Sequence, residues 1–155
     1  MRLLIQRVTN ASVEVENSVT GEICNGLLIF AGFEDSDDES DLEYAARKVV
    51  NLRIFDDVKG VMNQSLIDIR GDILLVSQFT LHAQTRKGNR PSYIRAARPE
   101  LAFSLYENFK KILTSCLGKG IASGIFGAMM KVSLTNDGPV TIWIDTREDR
   151  KNKIN

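Results

Sequence analysis

The chain is poor in the residues that build metal centres and covalent cross-links. It holds two cysteines, Cys24 and Cys116, and a single histidine, His82. That number cannot make a four-ligand Cys/His zinc site within one chain. No metal and no cofactor is expected. Two well-separated cysteines, with no recognisable signal peptide, point to free thiols in a reducing, cytoplasmic setting. Proline is scarce, at three residues, and no Pro/Gly/Ser-rich linker or internal repeat divides the sequence. The longest apolar run, Gly26 to Gly32, is too short to span a bilayer. Charge of one sign is lacking as well. Twenty basic residues balance twenty acidic ones, so nucleic acid can be held only by a local patch.

What is present suits one globular domain of 155 residues with 43% hydrophobic content. The reading is a single domain over residues 1–146, with a short polar tail at 147–155 that is expected to fray. Leu3 to Glu16 alternates as a strand, Asn17 to Gly21 is turn-rich, and Ile23 to Phe33 reads as the second strand of a hairpin. Ser40 and Glu43 have the spacing of a capping box before the stripe Leu42, Ala45, Val49 and Leu52. A short strand is expected around Arg53 to Phe55, and a buried one over Ile73 to Val76. Pro99 opens a second helix with Ala102, Leu105, Phe109, Ile112 and Cys116 on its apolar face, and Gly118 stops it. Met130 to Leu134 and Val140 to Ile144 are strands, with Asn136 to Pro139 as the turn between them. This order favours an α+β fold, with a mostly antiparallel sheet or partly closed β-barrel flanked by two helices.

Three regions carry candidate chemistry. The acid-rich run Glu34 to Asp41 lacks the central glycine and terminal glutamate of a calcium loop and reads as a solvated helix approach. The segment His82 to Arg98 holds Arg86, Lys87, Arg90, Arg95 and Arg98 and no acid. Such a loop fits phosphate contacts, and it also fits an ordinary surface loop. Ser77-Gln78-Phe79-Thr80 is polar chemistry placed directly after a buried strand. If that strand continued, Thr80 and His82 would share a face as a nucleophile and base. No third group is evident to orient the imidazole, which argues against a hydrolytic triad.

Together, IQRV around Arg7, SQFTL at 77–81, KGNRPSY at 87–93, FGAMM at 126–130 and NDGPVT at 136–141 resemble the D-aminoacyl-tRNA deacylase family, in the family's order across nearly the whole chain. His82 and Asn89 fall where that pattern is variable. The resemblance implies a homodimer, with no membrane association, that hydrolyses the ester joining a D-amino acid, or glycine, to tRNA. It implies that the Phe79 and Thr80 backbone N–H groups stabilise the oxyanion, that Ser77 and Gln78 shape the same wall, and that the terminal 2′-hydroxyl of tRNA replaces a side-chain base. Thr80 as a covalent nucleophile ranks second. Phe126, Gly127 and Met130 would hold the terminal adenosine, where without the resemblance they would read as core. A cis Gly138-Pro139 pair from one subunit would exclude L-amino acids from the other's site, braced by Arg7. Arg86, Lys87 and Arg90 would contact tRNA. The competing readings are a non-catalytic RNA-binding module and a small esterase acting on simple esters.

Overall fold

A computed structural model describes residues 1–151. The chain runs β1 (Arg2–Val15), β2 (Ser18–Ile23), β3 (Gly26–Gly32), α1 (Glu39–Asn51), β4 (Phe55–Asp56), β5 (Met62–Gln64), β6 (Asp72–Ser77), a 3₁₀ turn (Phe79–His82), α2 (Pro99–Leu117), β7 (Ala122–Ser123), β8 (Lys131–Asp145) and α3 (Thr146–Lys151). β1 organises the main sheet. One of its edges pairs with β8 along nearly its whole length. The other pairs with β3 through its first half and β2 through its second. All of these ladders are antiparallel. β6 joins β3 in parallel, and β7 joins β6 in parallel. α1 lies in the connection from β3 to β6, and α2 in the one from β6 to β7, as parallel pairs require. The result is an α+β fold around a mixed, partly closed barrel. β4 and β5 form a separate small hairpin.

The alternation in β1 sends Leu3 and Ile5 into a core shared with Leu27, Ile29, Ile73 and Leu75 and covered by α1 and α2. Val8, Ala11 and Val13 enter a second core, inside the curled sheet, with Leu28, Leu74 and Val76. Helix α2 begins on Pro99 and ends on Gly118, whose φ of 74° is the left-handed cap that glycine tolerates best.

Several local expectations are corrected. The turn-rich segment is mostly strand. The turn itself is only Glu16-Asn17, both at positive φ, and it leads directly into β2. The supposed continuous strand Ile23–Phe33 is interrupted at Cys24-Asn25. Helix α1 is capped by Asp38 with Asp41 in the third position, two residues before the Ser40/Glu43 pair. On α2 the buried positions are Leu105, Tyr106, Phe109 and Leu113, because the helix turns Ala102, Ile112 and Cys116 toward the edge of the packing. Asn136 to Pro139 does not separate two strands. It is a bulge within the single strand β8, which shifts register against β1 and then resumes pairing. The start of the expected polar tail is the helix α3, and positions 152–155 lie outside the described residues.

Candidate active site at the end of strand β6

β6 is buried through Val76 and surfaces at Ser77. The Gln78 N–H donates to the Ala31 carbonyl at 2.7 Å, the last tie to β3. The backbone then turns into the 3₁₀ segment. The N–H groups of Phe79 and Thr80 are its first, and short helical segments leave their first donors without internal acceptors. Leu81 N–H donates to the Gln78 carbonyl, whereas Phe79 and Thr80 make no such backbone bond among the described residues. Two adjacent main-chain donors are thus free at a strand end. Gln78 Nε2 donates to Thr80 Oγ1 at 2.5 Å, so these two side chains hold one another beside the amides. The strand does not continue, and this overturns the face-sharing of Thr80 and His82. His82 is fully buried and its Nδ1 lies 3.0 Å from Glu34 Oε1. It is turned into the protein and does not serve the Thr80 hydroxyl.

The basic loop divides into two parts. Gln84 and Ser92 exchange backbone hydrogen bonds at 2.8 and 3.0 Å, closing a neck. Arg86, Lys87 and Arg90 occupy the exposed tip and form no ion pair among the described residues. Arg95, below the neck, is used internally, bonding Glu34 at 2.9 Å. Tyr93 packs edge-on against Phe79, with ring centroids 5.1 Å apart, and so links the loop to the free amides.

The acid-rich run is not merely a solvated approach. Glu34, Asp37 and Asp41 are buried. Asp37 pairs with the Met1 ammonium, and Glu34 with His82, Arg95 and Arg147. Burial alone would raise the Glu34 carboxyl, but Arg147, Arg95 and His82 together hold it below the usual carboxylate value. Sequence patterning missed this cluster because its members are brought together only by tertiary folding.

The other singled-out residues fall in two further places. Phe126 is half-buried against Phe103 and Tyr106 of α2, with centroids 5.4 and 5.5 Å away. Met130 packs on the second core, while Gly127 is exposed at a positive φ of 75°. At the β8 bulge the Gly138-Pro139 peptide is cis. Arg7, only 6% exposed, braces it. Its Nε donates to the Asp137 carbonyl at 3.1 Å, and its Nη1 to the Ile54 carbonyl at 2.6 Å. Gly138 has a φ of 117°, and a Cβ there would lie 2.9 Å from Arg7 Nη2.

The register separates this bulge from the free amides. Ser77 is level with Ala31, which is level with Leu3. The bulge is level with Arg7, on the far edge of β1. Ordinary strand spacings put the two roughly 14 Å apart along the strands and roughly 14 Å apart across them.

A partly closed mixed barrel with main-chain donors presented at a strand end is the class that this geometry defines. Within it, the chain belongs to the D-Tyr-tRNA(Tyr) deacylase family, whose model matches residues 4–145. It is 56% identical over 147 residues to a D-aminoacyl-tRNA deacylase of Bacteroides thetaiotaomicron, covering 95% of this chain and 98% of that protein. It is 58% identical over 146 residues to one from Porphyromonas gingivalis, covering 94% and 97%. A solved structure described as c-Myc DNA Unwinding Element Binding Protein superposes with a TM-score of 0.88 at 38% identity, covering 94% of this chain and 98% of that one. A probable eukaryotic D-amino acid tRNA deacylase shares the fold, with a TM-score of 0.79 at 20% identity over 92% and 97% of the two chains.

Proposed function

We propose that the protein hydrolyses the ester bond of D-aminoacyl-tRNA, and of glycine mischarged on tRNA. Water adds to the ester carbonyl, the bond to the ribose oxygen breaks, and that oxygen takes up a proton. Free amino acid and tRNA are the products. The observation that carries this reading is the pair of N–H groups at Phe79 and Thr80 that are free among the described residues, where the Thr80 hydroxyl is bonded to Gln78 and to no base. An aminoacyl ester is already activated. What it needs is positioning and two donors aimed at the developing oxyanion, rather than a strong nucleophile. Ser77 and Gln78 shape the wall beside those donors, and the terminal ribose 2′-hydroxyl assists where the protein offers no base.

Gly138 and Pro139 exclude L side chains by occupying the space into which their Cβ would project, a form of specificity by clash. The separation along the sheet supports their delivery from a second copy of the chain, in a homodimer with the sites at the interface. Glycine has no Cβ to clash and is accepted. Phe126, Gly127 and Met130 flank the terminal adenosine, and Arg86, Lys87 and Arg90 contact tRNA phosphates from the loop tip.

The test is deacylation of matched D-Tyr-tRNA and L-Tyr-tRNA by purified protein without added metal. Multiple turnovers on the D ester alone are expected. Retention of charged D-Tyr-tRNA without release would leave an RNA-binding module instead, and cleavage of simple esters lacking tRNA would favour the small esterase. In the same assay Thr80→Ala, which keeps its backbone N–H, retains most activity. Its complete loss in a folded variant would restore the covalent reading. Gly138→Ala forces a Cβ against Arg7 at a left-handed φ. It should lower the D rate and narrow the D/L ratio.

A further inference from the structure

Glu34 stands where β3 gives way to the loop before α1, and its carboxylate is the meeting point of three segments. Oε1 accepts from His82 Nδ1 at 3.0 Å and forms an ion pair with Arg95 Nη2 at 2.9 Å. Oε2 accepts from Arg147 Nη1 at 2.7 Å. The His82 ring lies close against Gly32 at the strand end. A Cβ on Gly32 would come within 3.1 Å of its Cδ2 and 2.7 Å of the Gln78 carbonyl, so glycine leaves room for both. The 3₁₀ turn is therefore gripped on either side of its two free amides. Before them, Gln78 N–H is bonded to Ala31. After them, His82 is bonded to Glu34.

Burial keeps the imidazole neutral more strongly than Glu34 and the Gly32 backbone favour its charged form. A neutral ring that donates from Nδ1 has no proton on Nε2, and Nε2 is buried without a hydrogen-bond partner among the described residues. Beside the Gly32 backbone, Glu34 is the side-chain anchor of this ring among the described residues. If the anchor is lost, the turn can rotate about its remaining tie at Gln78. Misplacement of catalytic donors by about 1 Å can cost on the order of a hundredfold in rate.

We infer that Glu34 is a positioning residue for the hydrolysis: acting through His82, it fixes the direction of the Phe79 and Thr80 amides without touching substrate. The inference rests on the oxyanion reading given above. It concerns the chemical step, since the tRNA-facing cations at the loop tip do not touch this carboxylate.

The test uses the full chain, with single-turnover kinetics on D-Tyr-tRNA and the ¹⁵N–¹H resonances of Phe79 and Thr80 measured side by side. Glu34→Gln and His82→Leu should each lower kcat by about ten- to a hundredfold with KM changed less than about threefold. Both should broaden or double the two amide peaks. His82→Asn places a donor where Nδ1 stood and should restore most of kcat and the single peaks. Arg147→Ala, which removes another partner of the same carboxylate, should leave kcat unchanged. Unaltered kcat and peaks in folded Glu34→Gln would overturn the inference, as would His82→Asn being as impaired as His82→Leu. Should His82→Leu not fold, the near-isosteric Glu34→Gln decides alone. A wild-type protein that is inactive on D-Tyr-tRNA, yet whose amide peaks respond to these substitutions as described, would sink the proposed reaction and leave the anchoring role standing.

Discussion

The acid-rich segment Glu34–Asp41 and the basic loop His82–Arg98 are of opposite charge, and the fold treats them in opposite ways. Three of the acids are drawn inside: Asp37 pairs with the Met1 ammonium, Glu34 with Arg95 and Arg147, and Asp41 caps its own helix. On the loop, the tip cations Arg86, Lys87 and Arg90 remain in solvent without an ion pair among the described residues. The difference teaches that the charge available to a ligand is what internal pairing leaves over. A run of one sign in the sequence states only the gross supply.

The sharpest way to break the comparison is Glu34→Ala. If the buried acid is architectural, its removal leaves three donors facing an empty site. Removing one partner of a fully buried pair costs roughly 3–5 kcal/mol. Arg95 and Arg147 side chains are 43% and 40% exposed, so solvent can take over part of their pairing. A loss of about 2 kcal/mol is expected, a partial share of that buried-pair cost. Urea denaturation measures it, and a change near zero would place Glu34 with ordinary surface acids.

Neutralising Arg86, Lys87 and Arg90 together probes the other side. Stability should move by less than about 0.5 kcal/mol, the range of surface changes. tRNA affinity should fall on the order of tenfold, and the slope of log affinity against log salt should flatten by about 2 to 3 for three lost phosphate contacts. An unchanged slope in filter binding would return the tip to plain surface.

The smallest effect separates the two groups by pH. His82 is held below its ordinary 6.5 by burial, with the nearby Arg2 and Met1 ammonium adding to the shift and Glu34 opposing it. Between that lowered value and 6.5 the unfolded chain binds the proton that the folded ring refuses. Stability is therefore complete above 6.5 and declines as pH falls through the window. Glu34 is held below 4.5, so its share is lost only at more acid pH. The unaltered protein should lose Tm between pH 7 and 5; His82→Asn should flatten that decline, while the loop-tip triple variant should keep it.

Patterns that repeat along the chain were legible. The alternation in β1, the buried run of β6, and the Pro99 and Gly118 limits of α2 all rest on local chemistry that needs no distant partner. The breaks were harder to read. Glu16 carries no turn signature, so a two-residue turn at Glu16-Asn17 was hidden by the glycine at 21. Asp38 and Ser40 are both good caps, and only the fold decides between them. Asn-Asp-Gly-Pro has hairpin composition, yet β1 pairs on both sides of it and makes it a bulge. At the site, SQFTL located the strand end. The Glu34 anchor remained invisible because His82 is 48 positions away in sequence. Nothing local marks one acid of a run as the buried one.

The ladder between β1 and β8 has a consequence for how the molecule comes into being. Arg2 pairs with Asp145, so the organising strand finds its full-length neighbour only after a further 143 residues have been made. At ribosomal speeds of about 5–20 residues per second, that wait is on the order of ten seconds. Throughout it, one whole edge of the first strand has no mate, and a bare strand edge is a template for pairing with another chain. Contacts so distant in sequence also slow folding, since a long loop must close before they form. The nascent protein is thus exposed to misassembly until β8 emerges and seals the edge.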